Sequence, residues 1–394
     1  MQTVVLAAGK GTRMRPLTER RPKPMLPVAG SPLLEHTVDA AVEAGASRLV
    51  LVVGYRGDLI RERFGDSYRG VPIAYAEQQV QRGTADALAK AAQYLESEPF
   101  AVLNGDSLYD VDSLSSLYEG GPAVASYRVD DPTSYGVLLL DGEQVTGVIE
   151  KPADPPSTLI NAGAYVFPGA ALEWLDVGES ERGELELTDV LERTCESTNV
   201  RSVTMDRWLD VGRPWELLEA NEWKLDEIDD AHHGTVSPDA TLSGRVFVAP
   251  DAEIREGVTV EGPAYVGPEA TIGPNAYVRG ATAIGAGAHV GHAVEIKNSV
   301  LMAGATAGHL TYVGDSVVGR DVNFGAGTTI ANLRHDGEDV RVTVKGERVP
   351  TGRRKFGIVC GDGVKTAIDT SVNAGVVLSE GATTTPGENV LRDR

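Results

Sequence analysis

The chain has 394 residues, 36 of them basic and 57 acidic, for a formal charge of −21. That length allows two domains with separate cores, and that charge argues against nonspecific binding to nucleic acid or to an anionic membrane. No stretch approaches the roughly 18 uninterrupted apolar residues of a membrane span. The amino terminus opens into a strand-like run without a signal-peptide pattern. Cys195 and Cys360, the two cysteines, lack metal-ligand spacing. A reduced, cytoplasmic enzyme is expected.

Thr3–Ala8 reads as a short apolar strand, followed by the Gly-rich loop Leu6-Ala-Ala-Gly-Lys-Gly-Thr-Arg-Met14 and a helix over about Leu33–Glu43. Arg48–Val53 is the next buried strand, and Ala101–Leu103 another, ending in Asn-Gly-Asp. Short apolar strands separated by helical stretches predict a mostly parallel sheet covered by helices on both faces. The loop is neither a GxxxxGK[ST] phosphate loop nor a complete dinucleotide fingerprint. Gly9 and Gly11 still allow close backbone approach to a triphosphate, Arg13 can fork onto phosphate oxygens, and Lys10 and Lys23 add positive charge. Over Pro214–Glu227, Trp215, Leu218, Trp223 and Leu225 fall at helical spacing, and this helix is expected to link the two halves.

The period then changes. Every sixth position from Val236 to Met302 is aliphatic, for example Val248, Ile254, Val260, Val266 and Ile272, with small or β-branched residues four positions after each and Gly and Pro between. This is the signature of stacked triangular β-coils, with aliphatic side chains on the axis. The register slips after Met302 and resumes at Tyr312, Val318, Phe324 and Ile330. It breaks again and returns at Cys360, Thr366, Val372 and Leu378. The slips bracket Gly308-His309 and the segment from Asn332 to Arg354, and interruptions of a solenoid are where loops leave and sites form. The expected organisation is a first domain over 1–225, a linker over 226–235 and a β-helix over 236–394.

The ordered motifs LAAGKGTRM, RPKPMLPVAGSP, QQVQRGTADAL, LNGDSLYD, YGV, VIEKP, INAGAYVF, ELTDVL and WLDVG run across essentially all of residues 1–225. They closely resemble the sugar nucleotidylyltransferase family, whose fold is a Rossmann-like mixed-sheet α/β domain. The resemblance implies in-line attack of a sugar 1-phosphate on the α-phosphate of UTP or dTTP, chemistry that depends on alignment and charge stabilisation. It places Arg13 and Lys23 at the catalytic phosphates, and Ala8, Gly9, Gly11, Gln78, Gly83 and Thr84 around the nucleotide. Gln78 would read the base edge by paired hydrogen bonds. Gly136, Glu150, Lys151 and Asn161 would hold the sugar and its phosphate. Asp106 and Asp210 would hold Mg²⁺, a hard cation suited to carboxylate and phosphate oxygens.

In the second half, VGHAVEIKNS, GHLTYVGD, VNFGAGTTIANL and RRKFGIVCGDGVKT resemble the acetyltransferase domain of the bifunctional glucosamine-1-phosphate acetyltransferase/N-acetylglucosamine-1-phosphate uridylyltransferase family. The long segment 333–355 is similar to the archaeal sugar-1-phosphate nucleotidylyltransferase/acetyltransferase group. The resemblance implies a left-handed parallel β-helix of hexapeptide repeats that uses acetyl-CoA and assembles as a homotrimer. It makes His309 the general base, since imidazoles titrate near neutrality. Arg279, Lys297 and Lys355 would take the sugar phosphate, and Tyr312, Asn323 and Asn332 the sugar. A backbone N–H near Ala326 would steady the oxyanion from acetyl-CoA. His289, His292 and His335 are read as exposed or turn residues. Two other readings compete: a glucose-1-phosphate thymidylyltransferase with a purely structural β-helix, favoured by WLDVG and VIEKP, and a regulatory scaffold with degenerate sites, disfavoured by the complete set of Arg13, Lys23, Asp106 and Asp210.

Only nine of the 36 basic residues are lysine, and Lys10, Lys23, Lys151, Lys297 and Lys355 all fall on expected anion sites. An acidic, lysine-poor surface suits a salt-rich cytoplasm, where screening removes self-repulsion. The melting temperature should therefore rise substantially between low and molar KCl; a flat or falling scan would show an ordinary acidic protein.

Overall fold

The structure, a computed structural model, describes residues 1–180 and 183–394. It divides into two compact units. One comprises Met1–Lys10, Arg21–Met25 and Leu33–Asp210, and the other comprises Gly11–Arg20, Leu26–Pro32 and Val211–Arg394.

In the first unit the apolar runs become four parallel strands: β1 (Gln2–Ala7), β2 (Arg48–Val53), β3 (Val71–Glu77) and β4 (Phe100–Asn104). β1, β2 and β4 are sealed along nearly their whole length, as expected for strands covered by helices on both faces. Their order across the sheet is β4–β1–β2–β3, with Val4 facing Val50 on one side and Val102 on the other. Leu159–Phe167 extends the sheet antiparallel beyond β4, followed by Ala123–Arg128, Val200–Thr204, Gln144–Glu150 and Gly136–Asp141. Helix Leu33–Glu43 covers the sheet with Leu33, Leu34, Val38 and Ala41 buried. The chain builds outward from β1 through β2 and β3, then returns to start β4 on the opposite side of β1. That reversal opens a crevice at the carboxyl ends of β1 and β4, where ligands of such sheets bind. The Gly105 N–H bonds the Leu6 carbonyl at 2.9 Å, so the two strand ends stay together.

The second unit is the left-handed parallel β-helix. Its short strands form three parallel sheets, of eight, six and eight strands. Thr271 pairs with His289, and Tyr277 with Glu295, so three hexapeptides complete one coil. From Val248 through Ile296 the expected axial residues are all sealed, whereas Val236 and Leu242, at the open end, are half-buried. The register change differs from the sequence expectation. Ile284 is followed on its sheet by Leu301, and Ile296 by Val313, so neither Met302 nor Tyr312 continues the axial ladder. Two corners, Lys297–Val300 and Gly314–Val317, are a residue shorter than the others, so these coils fall just short of three full hexapeptides. The next coil, from Val317 to Val359, is far longer because it carries the hairpin Arg341–Val344/Glu347–Pro350. The one after it, from Val359 to Val377, regains the regular length.

Two further differences concern the join. Ala231–His232 already pairs parallel with Phe247–Val248, so coiling begins inside the stretch expected to be linker. Helix Pro214–Asp226, with proline at its start, belongs to the second unit rather than standing between two bodies. Its Asn221 accepts from the Ala29 N–H at 3.0 Å and donates to the Ala281 carbonyl at 3.0 Å. Among the described residues, no helix is long and apolar enough to cross a membrane.

Ile272 is fully sealed on the axis, so Ile272→Ala should destabilise the β-helix by about 2–5 kcal/mol. Val236→Ala, at the half-buried end, should cost clearly less; urea titration of both variants measures the difference.

Candidate functional site

At the crevice of the first unit, Asp106 follows β4, and Lys23 lies on a short helical turn. Lys23 is 5% exposed, its ammonium 2.7 Å from Asp106 Oδ2 and 3.9 Å from Asp210 Oδ1. Asp210 ends the strand Trp208–Asp210, which pairs antiparallel with Ser107–Tyr109, and this pairing sets the two carboxylates beside one positive charge. Ala8 is buried at the end of β1, while Gly9 is exposed, with nothing within 4 Å of where a Cβ would stand. Gly9 is therefore not required by packing, and its openness faces outward. Gly11 and Arg13 belong to the second unit. Gly11 takes φ 62 before the turn Thr12–Met14, and exposed Arg13 lies alongside Gly212.

Gln78 follows β3 and is 4% exposed. Its amide nitrogen donates to the Gly83 carbonyl at 3.0 Å and to Asp86 Oδ2 at 2.8 Å. The paired hydrogen bonds expected from Gln78 to a base are therefore half unavailable: both amide protons are engaged internally and only Oε1 is left. Gly83 has φ 115, and a Cβ there would stand 2.3 Å from the Leu185 carbonyl oxygen. Thr84 Oγ1 accepts from the Leu187 N–H at 2.9 Å, capping helix Leu187–Ser197. These glycine and threonine positions hold two chain segments together whatever else they do.

The expected sugar pocket gathers at the antiparallel end of the sheet. Gly136 faces Glu150 across a strand pair, and its missing Cβ would lie 3.0 Å from Glu150 Oε2. Lys151 is exposed at φ 46, its ammonium 3.1 Å from Glu150. Asn161 sits at a register shift in Leu159–Phe167, donating to Tyr165 Oη at 2.8 Å and accepting from the Gly163 N–H at 3.0 Å. Trp208 Nε1 and Tyr109 Oη bond the carbonyls of Ala162 and Gly163, which fixes the shift in place.

In the second unit the expected acetyltransferase residues fall on two neighbouring sides of the coils. Arg279, Lys297, Tyr312 and Asn332 share one side, where Arg279 stacks on Lys297. Lys297, Tyr312 and Asn332 gather at Asp315, which is 2% exposed and sits at the second shortened corner. Its carboxylate takes Lys297 Nζ at 2.6 Å, Asn298 Nδ2 at 3.1 Å and Asn332 Nδ2, which also reaches Tyr312 Oη at 3.0 Å. Burial, helped by the Asp315 and Glu295 charges, pushes the Tyr312 phenol up, so it stays protonated. Glu222 extends the network from helix Pro214–Asp226, bonding Asn298 at 2.8 Å and pairing with Arg353. Lys355 is exposed, bridged to Leu333 beside Asn332. On the adjoining side lie His309, Asn323 and Ala326. His309 is exposed, its backbone carbonyl accepting from the Gly327 N–H, and Asn323 stacks on Thr306. The Ala326 N–H has no acceptor among the described residues. His292 stacks directly beneath His309. Burial, with Arg255 and His309 adding, pushes the His289 imidazole down, so it is neutral at pH 7.

Arg279 and Lys297 are thus already paired, Arg279 with Glu295 at 2.7 Å and Lys297 with Asp315. The sequence reading passed over Asp315, Glu222 and Asp86. Asp315 stood in plain view in GHLTYVGD, but only the true corner positions mark it as buried.

The model of the nucleotidyl transferase family matches residues 2–227, and that of the GMPPB C-terminal domain matches 260–385. A bifunctional sugar-1-phosphate nucleotidylyltransferase/acetyltransferase of Sulfurisphaera tokodaii is 37% identical, covering 100% of this chain and 98% of that protein. The bifunctional protein GlmU of Methanocaldococcus jannaschii is 39% identical, covering 100% and 95%. A solved UDP-glucose pyrophosphorylase complexed with UDP-glucose superposes with a TM-score of 0.53 at 25% identity, over 58% of this chain and 99% of that one. The chain belongs to the nucleotidyl transferase family, among its bifunctional sugar-1-phosphate nucleotidylyltransferase/acetyltransferases.

Gly83→Ala should destabilise the first unit by more than about 1 kcal/mol, because the new side chain meets strain at positive φ as well as a backbone clash. Differential scanning calorimetry checks this; an unchanged first-unit transition would show that the 83–185 approach is slack.

Proposed function

We propose that the protein makes a nucleotide-activated amino sugar in two steps on two sites. It transfers acetyl from acetyl-CoA to glucosamine 1-phosphate, then uridylyl from UTP to the resulting N-acetylglucosamine 1-phosphate, releasing pyrophosphate. The observation that carries the reading is the pairing of buried Lys23 with Asp106 and Asp210 at the sheet crevice, in a chain that matches over its full length a relative named for both activities. The thymidylyltransferase alternative leaves the polar network around Asp315 without a task.

In the first site Lys23 and Arg13 balance charge on the triphosphate and on the transferred α-phosphate. Gln78 and Gly83 meet the base, Ala8, Gly9, Gly11 and Thr84 border the nucleotide, and Gly136, Glu150, Lys151 and Asn161 seat the sugar. Asp106 and Asp210 fit Mg²⁺, since two partly exposed carboxylates already flank a cation and this ion takes one or two carboxylates plus phosphate oxygens. When bound, it supplies further charge neutralisation at the phosphates.

In the second site His309 removes a proton from the sugar amine. The freed nitrogen attacks the thioester carbonyl, and the Ala326 N–H, which has no protein acceptor among the described residues, donates to the developing oxyanion. Arg279, Lys297 and Lys355 meet the phosphate, and Tyr312, Asn323 and Asn332 the sugar hydroxyls. The assembly is a homotrimer in a salt-rich cytoplasm.

Asp106→Asn or Asp210→Asn should greatly reduce UDP-N-acetylglucosamine formation while leaving thiol release from acetyl-CoA intact. His309→Ala should do the reverse, lowering acetyl transfer by about 10²–10⁴ while N-acetylglucosamine 1-phosphate is still uridylylated. Loss of both activities in a folded single variant would sink the two-site scheme; wild-type enzyme inert toward amino sugars would favour the structural β-helix.

A further inference from the structure

We infer that Asp86 is the residue that makes the first site selective for a base carrying an imide edge, uracil or thymine over cytosine, by fixing which end of the Gln78 amide faces the base. The inference rests on the proposed placement of the base at Gln78 and Gly83.

Gln78 is almost wholly buried, and its amide could present either its oxygen or its nitrogen to a ligand. The protein removes that choice. Two acceptors, the Gly83 carbonyl at 3.0 Å and Asp86 Oδ2 at 2.8 Å, claim both protons of the amide nitrogen. A turned amide would set its oxygen against both of them. Asp86 is itself immobilised: it is 8% exposed, sits in the first turn of helix Thr84–Ala91, and its other oxygen is 3.4 Å from Lys90 one turn on. A carboxylate has no proton to offer, so it can never tolerate the turned amide. The Gly83 carbonyl alone is a neutral acceptor, and hydrogen bonds to charged groups are worth roughly twice as much.

The outcome is a fixed pattern. Gln78 Oε1 accepts nothing from the described residues and is not sealed from solvent, since Ser107 Oγ is the one buried orphan among them. The Gly83 N–H, in the residue whose carbonyl Gln78 bonds, donates to no described group. The site offers one acceptor and one donor. Uracil and thymine present an N3–H donor flanked by carbonyl acceptors, which complements this pair. Cytosine in the same placement sets its bare N3 against Oε1 and its amino group against the Gly83 N–H. Both contacts are then reversed, and sliding the ring by one position in either direction leaves at least one of the two unmet. Thymine and uracil share the edge, so this device does not separate UTP from dTTP.

The test is nucleotidyl transfer by the full-length enzyme with UTP, dTTP and CTP, comparing kcat/KM. Wild-type enzyme should prefer UTP to CTP by at least about 10³-fold, within reach of sites whose buried polar groups are committed. Asp86→Asn can donate as well as accept and so lets Gln78 turn. The preference should fall at least tenfold, chiefly through a gain with CTP, while UTP turnover drops only modestly. Asp86→Leu removes the acceptor without adding a donor and should lower the preference less. Lys90→Met leaves Asp86 facing Gln78 and should keep the ratio within threefold. A UTP-selective wild type whose ratio is unchanged in Asp86→Asn overturns the role of Asp86 and leaves the proposed function standing. So does a larger loss in Asp86→Leu than in Asp86→Asn, which would mean that packing sets the selectivity. A wild-type preference for CTP overturns the base placement itself.

Discussion

Parallel rungs of a solenoid must hydrogen-bond at one pitch, so a coil can change its length only at corners. In this protein that constraint decides where polar groups can be buried. From Val248 to Ile296 the axis is a ladder of sealed aliphatics, with Thr282 a buried polar side chain at one corner. Shorten two successive corners by a residue and the polar groups there are drawn inward and stacked: Lys297 and Asn298 on one rung, Asp315 on the next. A buried carboxylate is costly unless paired and hydrogen-bonded, and Asp315 collects three partners. A side of the coil that would otherwise be a smooth stack thus becomes a preorganised polar surface, held from outside by Glu222 and Arg353.

The first unit solves the same problem with other means. Its parallel strands end at a reversal of direction, and there Lys23 stands between two carboxylates inside a chain of strongly negative overall charge. Three of the lysines expected at anion sites sit against acids: Lys23 with Asp106, Lys151 with Glu150, Lys297 with Asp315. In an acidic protein a lone cation would attract carboxylates indiscriminately. Pairing each with a chosen acid fixes its position and keeps the local charge low.

Much of this was legible in the sequence. Leu33–Glu43 and Arg48–Val53 form as the spacing of their apolar residues indicates, because each has one sealed face or two and no competing pattern. The hexapeptide period gave the β-helix for the same reason. It failed at Met302 and Tyr312, where the neighbours Leu301 and Val313 are equally apolar and a count by sixes cannot see a corner that is a residue shorter. The helix Pro214–Asp226 was visible, but not that it packs with the coils, since its apolar residues surround it rather than lying on one face. Gln78 is singled out by its motif. Its hydrogen-bond direction is not, because that is decided by Asp86 and by a backbone carbonyl, neither of which a ligand-facing motif marks.

The long coil from Val317 to Val359 returns to the same axis it left, and Ile330 still stacks on Val372. Everything between about 332 and 356 is therefore topologically outside the ladder, a side branch whose length the solenoid does not register. Closing a longer branch costs only slowly more entropy, so this is a point where the lineage could lengthen, shorten or replace a segment without refolding anything. Because Arg353 and Lys355 lie on the returning limb, such changes would reshape what meets the polar corner while the corner itself stayed untouched. The architecture separates a frame held in register by the ladder from a branch whose length the ladder does not constrain.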